Sequence, residues 1–157
     1  MPDHHKPFAI ALGFIIVFMI IYVVAGSIGW GLQAPNEQAI GEISRWCERV
    51  SAGAFREPSN ALSNMGFMLA GLLMLRVLSK DSEYLLGLNQ FFGFTPISIL
   101  YASSVIWLGA GSMLMHGTHT RWGASADNLS MVMYILIPWL FNLSQMGGWS
   151  TRKLLII

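Results

Sequence analysis

The chain has 157 residues and a formal net charge of +1, and 54% of its residues are hydrophobic while only 11% are charged. Soluble domains carry about 25% charged residues, so this composition predicts an integral, multi-pass membrane protein. The small net charge and the scattered basic residues give no basis for nucleic-acid binding. The single cysteine, Cys47, excludes an internal disulfide and cannot by itself form a structural zinc site.

The first apolar run extends from Phe8 to Trp30. It is long enough to cross a bilayer, for which about 20 residues suffice. The run exceeds the apolar core of a signal peptide, about 7–15 residues, and no clear A-x-A cleavage site follows it. We therefore expect an uncleaved membrane anchor in residues 1–35, and a removed signal peptide is the alternative.

The segment from Asn36 to Ser51 has apolar residues at helical spacing and charged residues between them. The apolar set is Ala39, Ile40, Ile43, Trp46, Cys47 and Val50. This pattern predicts a short amphipathic helix on the membrane surface, with Trp46 at the level of the lipid headgroups. The interfacial segment would occupy residues 36–56.

Residues 57–157 contain three further apolar runs, and we expect each to form a membrane span. The predicted spans run from about Glu57 to Leu78, from Phe91 to Met115, and from Asn128 to Met146 with a kink at Pro138. A turn from Gly117 to Gly123 would join the last two. The chain ends on four apolar residues, 154–157, directly after the basic pair Arg152-Lys153. This ending resembles the opening of a fifth span, so we expect a C-terminally truncated chain. The predicted fold is an all-α membrane bundle of about four transmembrane helices plus the interfacial helix.

Polar residues form a stripe at the entrance of the second predicted span. Glu57, Asn60 and Asn64 are spaced i, i+3 and i+7, which places them on one helical face. Such a stripe faces protein or water rather than lipid. We interpret it as a buried hydrogen-bond network that orients a site.

A second polar group lies at the junction of the third and fourth predicted spans. Ser112 and His116 are four residues apart and share a helical face, and Asp127 begins the next span. Because successive spans alternate in direction, Glu57, His116 and Asp127 should lie on one side of the bilayer. Ser112 could instead serve helix packing, His116 could be interfacial, and Asp127 could cap the fourth span. His119 would be solvated in the turn.

These residues resemble the alkaline ceramidase family. The resemblance lies in Trp46-Cys47-Glu48, in Glu57-x-x-Asn60-x-x-Ser63-Asn64, and in Gly111-Ser112-x-x-x-His116 followed by Asp127. It covers the chain from Trp46 to about Tyr134. The family belongs to a superfamily of seven-span membrane hydrolases that also holds the progestin and adiponectin receptors.

The resemblance implies a zinc-dependent amidase that cleaves ceramide to a sphingoid base and a fatty acid within the membrane. The residue matching His116 is a zinc ligand in the family, and those matching Ser112 and Asp127 sit beside the zinc-bound water. The other two ligands come from an H-x-x-x-H pair on the last span, and this sequence has no such pair after His116. We therefore expect this fragment alone to be inactive.

The family's animal members also bind calcium around the Trp-Cys-Glu motif. Glu48 and Glu57 match that pattern here, but Arg45 stands in place of an acidic residue and Val50 in place of an asparagine. Arg45 and the nearby Arg49 would repel a dication, so we expect no strong calcium site.

Two other functions remain open at this point. One is a receptor-like or structural membrane protein that keeps the fold without turnover. The other is a related hydrolase acting on a different lipid amide or ester, because a fold alone does not determine the substrate. A membrane lipid, ceramide-like in the first hypothesis, is the expected partner, and compartment and oligomeric state stay open.

Overall fold

The computed structural model describes residues 4–30, 38–80 and 93–156, and regular structure in these residues is helical. There are six helices, in the order α1 (Lys6–Ser27), α2 (Pro58–Ser63), α3 (Met65–Leu78), α4 (Pro96–Thr118), α5 (Arg121–Met146) and α6 (Thr151–Ile156). Prolines occupy the first turn of α1, α2 and α4, where the missing amide hydrogen has no helical partner.

Four segments are long and apolar enough to cross a membrane: α1, α2 with α3, α4 and α5. This confirms the predicted all-α bundle with about four spans and is compatible with a multi-pass membrane protein. The second span keeps its predicted bounds, with Asn64 as a one-residue interruption. The third span begins at Pro96, after the predicted Phe91, which lies outside the described residues.

Helix α4 is the centre of the bundle. Helices α3 and α5 pack along it, and α1 contacts both α3 and α4. A Cβ at Gly109 would lie 2.6 Å from the carbonyl oxygen of Asn64, and a Cβ at Gly111 would lie 2.6 Å from Ser130 Oγ. The small residues of α4 therefore allow close helix contact.

The predicted interfacial helix is wrong, because residues 38–51 contain no helix. They form an irregular hairpin in which the amide of Gly41 donates to the carbonyl of Val50 and an isolated bridge joins Ile43 to Arg49. Gly41 and the exposed Cys47 have positive φ values of 92° and 62°, which a right-handed helix does not permit. The apolar residues at helical spacing do not form one buried face, since Ile43 is exposed.

The predicted turn from Gly117 to Gly123 is also wrong, because only His119 and Thr120 lie between α4 and α5. Both glycines lie inside helices and are buried, where the absence of a side chain admits a neighbouring group. The Thr120 hydroxyl caps α5 by accepting a hydrogen bond of 3.1 Å from the Gly123 amide. The fourth span therefore begins well before the predicted Asn128.

Candidate functional site

A buried polar cluster lies where α2 begins and α4 ends, and Glu57 is its centre. The Glu57 side chain is 0% exposed. Its Oε2 accepts a hydrogen bond of 2.9 Å from Asn60 Nδ2 and lies 2.8 Å from His116 Nδ1. Its Oε1 lies 2.8 Å from His119 Nε2. A buried carboxylate is tolerated when such partners replace water, so we treat these four residues as one unit, the Glu57 cluster.

The start of α2 positions two members of the Glu57 cluster. Glu57 precedes Pro58, the first residue of α2, and Asn60 follows three residues later on the same face. The structure thus brings Glu57 and Asn60 into contact, as their spacing predicts. The Asn64 side chain donates a 2.8 Å hydrogen bond to the Asn60 carbonyl. It supports the cluster through the backbone of Asn60 and does not itself contact Glu57.

His116 points into the protein, with 13% of its side chain exposed. When His116 Nδ1–H donates a hydrogen bond to the Glu57 carboxylate, the imidazole is in the tautomer whose Nε2 keeps its lone pair. The Trp46 ring lies edge-on to the imidazole at 5.0 Å between centroids. His116 is therefore held in one orientation, with Nε2 as the nitrogen able to bind a metal.

His119 is buried, so the prediction that it is solvated is wrong. It ends α4 in the left-handed conformation, with φ of 52°, and its amide donates to the Met115 carbonyl at 3.1 Å. His119 Nε2 lies at ion-pair distance, 2.8 Å, from Glu57 Oε1. Burial lowers the pKa of His119 below its ordinary value of 6.5, although the nearby Glu57 acts in the opposite direction.

The tip of the hairpin, Trp46 to Glu48, is attached to the first turn of α2. The two carboxylate oxygens of Glu48 accept hydrogen bonds from the amides of Ser59, at 2.7 Å, and Asn60, at 2.8 Å. Desolvation acts to raise the pKa of Glu48, but the hydrogen bonds from Asn60 and Ser59 outweigh it and the pKa lies below its usual value of 4.5. Glu48 thereby satisfies amides that the helix itself leaves without partners.

Ser112 and Asp127 lie further into the bundle than the Glu57 cluster. Ser112 is half-buried one turn before His116 on α4. Asp127 lies in the second turn of α5, next to Ala126, whose carbonyl oxygen packs against Gly111. Neither side chain hydrogen-bonds to His116 among the described residues. One Asp127 oxygen, Oδ1, is buried and has no hydrogen-bond partner in the described parts of the chain.

The described residues do not form a complete metal site. No group of three or more His, Cys, Asp or Glu side chains within residues 4–30, 38–80 and 93–156 is arranged to hold a metal ion. The donor chemistry fits one ligand, His116 Nε2, because Glu57 binds the other ring nitrogen. A carboxylate on the second nitrogen is the usual support of a metal-binding histidine.

An apolar cavity of about 570 Å³ lies between α1, α4 and α5. Its lining includes Phe14 of α1, Leu100 and Trp107 of α4, and Met133 of α5. Trp107 precedes His116 by nine residues, or about 14 Å along the helix axis at 1.5 Å per residue. The cavity is thus separate from the Glu57 cluster.

Sequence reasoning missed two features of the candidate site: the burial of His119 and the capping of α2 by Glu48. His119 follows His116 by three residues, a spacing that places two imidazoles near each other at a helix end. That spacing could have indicated that His119 lies beside His116. The predicted turn from Gly117 to Gly123 instead placed His119 in solvent. No sequence pattern indicates that Glu48 binds the Ser59 and Asn60 amides.

Comparison with known proteins found no match to any family model, curated protein or solved structure.

Proposed function

We propose that this chain belongs to a zinc-dependent intramembrane hydrolase that cleaves the amide bond of ceramide or a related lipid amide, giving a sphingoid base and a fatty acid. His116 would provide one zinc ligand, and the described residues do not supply the full set that zinc needs. The proposed substrate, a lipid amide, is inferred from the resemblance of the motifs to the alkaline ceramidase family. The four apolar helices of spanning length support a location within the membrane.

The observation that carries the proposal is the 2.8 Å contact between Glu57 Oε2 and His116 Nδ1. The pair is well suited to metal binding, because the carboxylate fixes the tautomer and the orientation of the ring and leaves Nε2 free to bind. Asn60 donates to the same Glu57 oxygen and thus restricts the carboxylate's own orientation.

Bound zinc would lower the pKa of a water molecule to about 7 and polarise the amide carbonyl. Asp127 is suited to accept a proton from the attacking water and return it to the leaving amine. Its Oδ1 is buried and makes no hydrogen bond to the described residues, which leaves that oxygen available. The Ser112 hydroxyl is suited to donate a hydrogen bond to the developing oxyanion.

The test uses the protein expressed from its natural reading frame, including any residues encoded after Ile157, and reconstituted in lipid nanodiscs. Zinc content is measured by elemental mass spectrometry, and hydrolysis by release of labelled fatty acid from ceramide. We expect about one zinc per chain. His116→Ala should lose both zinc and hydrolysis, whereas His5→Ala, at an exposed histidine, should retain both. The 157-residue chain alone should be inactive.

Three results would contradict the proposal in different ways. Hydrolysis retained in His116→Ala would exclude the zinc-ligand role. Cleavage of lipid esters without cleavage of amides would favour a related hydrolase. Zinc binding with no hydrolysis across a panel of lipid amides and esters would favour a receptor-like or structural protein.

A further inference from the structure

The C-terminal half of α1 is attached to the last turns of α4. Tyr22 is 1% exposed, and its hydroxyl donates a 3.1 Å hydrogen bond to the Met113 carbonyl. Gly117 lies one turn further along α4, and a Cβ at this position would overlap the Tyr22 hydroxyl. Tyr22 therefore fills a notch in the helical turn that carries His116.

The same end of α1 is attached to the segment that leads into Glu57. A Cβ at Gly26 would lie 2.5 Å from Ala54 Cα, so the two backbones are in direct contact. Trp30 Nε1 donates a 3.4 Å hydrogen bond to the Ala54 carbonyl. The Tyr22 and Phe55 rings are 5.2 Å apart between centroids. One helix end thus contacts both backbone segments that meet at the Glu57 cluster.

We infer that α1 is a brace for the candidate site and that Tyr22 is a positioning residue. The 2.8 Å contact between Glu57 and His116 joins α2 to α4, which are distant in sequence. Tyr22 contacts α4 through Met113 and Gly117 and contacts the approach to α2 through Phe55. A rigid aromatic side chain bound on both sides restricts movement of one segment relative to the other.

The brace matters for hydrolysis only if the proposed function holds, whereas its effect on the imidazoles can be measured without substrate. The 157-residue chain contains four histidines, so the ring nitrogens of this chain can be resolved by ¹⁵N NMR after labelling and reconstitution in nanodiscs. The signals of His116 and His119 report the Glu57 contacts. Those of His4 and His5 serve as internal references at the far end of α1.

The variants form a double-mutant cycle between Tyr22 and Gly117. Tyr22→Leu removes the hydroxyl and the distal ring atoms, and we expect it to shift or broaden the His116 and His119 signals. Gly117→Ala should do the same in the wild-type background but add no further change in the Tyr22→Leu background, since the overlapping atoms are then gone. The matched control is Gly13→Ala on α1, where a Cβ meets no atom within 4 Å.

Tyr22→Phe is the milder variant, in case Tyr22→Leu does not fold. It removes only the Met113 hydrogen bond, and we expect smaller shifts of the same two histidines. In an active preparation, Tyr22→Leu should lower kcat by up to about 100-fold with KM retained, as misplacement of catalytic groups does. Wild-type imidazole signals in all Tyr22 variants would overturn the inference, and so would independent, additive effects of the two substitutions. Altered imidazoles in a protein that hydrolyses no lipid would contradict the proposed function alone.

Discussion

Glu57 and His116 are joined twice. The Glu57 carboxylate contacts His116 Nδ1 at 2.8 Å, and the Glu57 amide donates to the His116 carbonyl at 3.2 Å. The side-chain contact determines the orientation of the imidazole, and the backbone contact determines the height of α2 relative to α4. A change in either helix would therefore alter the geometry at His116 Nε2.

Glu57→Gln should weaken zinc binding by about 10- to 100-fold, the usual effect of removing a carboxylate behind a metal-binding histidine. The substitution keeps the size of the side chain and removes its charge. Zinc affinity is measured by competition with a chelating dye. Glu42→Gln is the control, because Glu42 is exposed and its carboxylate, among the described residues, accepts a local hydrogen bond from the Ala39 amide. Equal zinc affinities in the two variants would show that Glu57 does not support His116.

Asp127→Asn should retain zinc and lower kcat by about 10²- to 10⁴-fold, because an amide cannot accept the proton of the attacking water. Turnover is measured with labelled ceramide at saturating concentration. Glu42→Gln again provides the control for loss of one carboxylate. Full activity in Asp127→Asn would assign this residue to packing between α4 and α5.

Ser112→Ala should retain zinc and lower kcat by about 10²- to 10³-fold, the range for loss of one oxyanion donor. Ser103→Ala is a matched control on the same helix, because Ser103 is exposed. Unchanged kcat in the Ser112 variant would leave the hydroxyl with a packing role only.

Glu48→Ala should destabilise the fold by about 1 kcal/mol, a typical loss for a helix N-terminal cap. The low pKa of Glu48 also predicts a pH dependence. A carboxyl whose folded pKa is depressed contributes stability that is present above its unfolded value of 4.5 and lost as the pH falls through the folded value. Thermal unfolding at pH 7 and near pH 3 measures this difference. Wild type and Glu48→Ala should differ at pH 7 and converge in acid, whereas a constant difference would exclude the capping charge.

Gly111→Ala should destabilise the bundle by about 1–3 kcal/mol, the usual cost of overpacking. The added Cβ would lie 2.6 Å from Ser130 Oγ and 2.7 Å from the Ala126 carbonyl oxygen, so α4 and α5 would have to separate. Gly66→Ala on α3 is the control, since its Cβ would meet nothing within 4 Å and alanine favours helix by about 1 kcal/mol. The free energies of unfolding of the two variants are compared by denaturation in mild detergent. Two variants of equal stability would contradict the close packing at Gly111.

The spans could be predicted from the sequence because their length and apolar content decide them locally. The conformation of residues 38–51 could not be predicted from periodicity. Glu48 accepts hydrogen bonds from amides of α2, and Gly41 and Cys47 have left-handed backbone conformations, and neither feature appears in the apolar pattern. The prediction of the connection between α4 and α5 was also wrong, because it interpreted buried helix glycines as turn residues. A glycine such as Gly117 that makes room for Tyr22 inside a helix is indistinguishable in sequence from a glycine in a turn.

The sequence predicted where individual residues of the candidate site lie, but not the contacts between them. Spacing placed Glu57 and Asn60 on one face, and the alternation of spans placed Glu57 and His116 at one end of the bundle. The contact between them depends on the axial registry of α2 and α4, which no local pattern contains. The burial of His119 depends in addition on a two-residue connection that holds it against Glu57.

The position of Cys47 offers a practical route to observing the cluster. It is the single cysteine of the sequence, it is exposed, and it follows Trp46, whose ring lies against His116. A thiol-reactive spin label or fluorophore can therefore be attached to this 157-residue chain at Cys47 without any engineered substitution. Such a reporter would register metal uptake or lipid entry as a change in its own mobility.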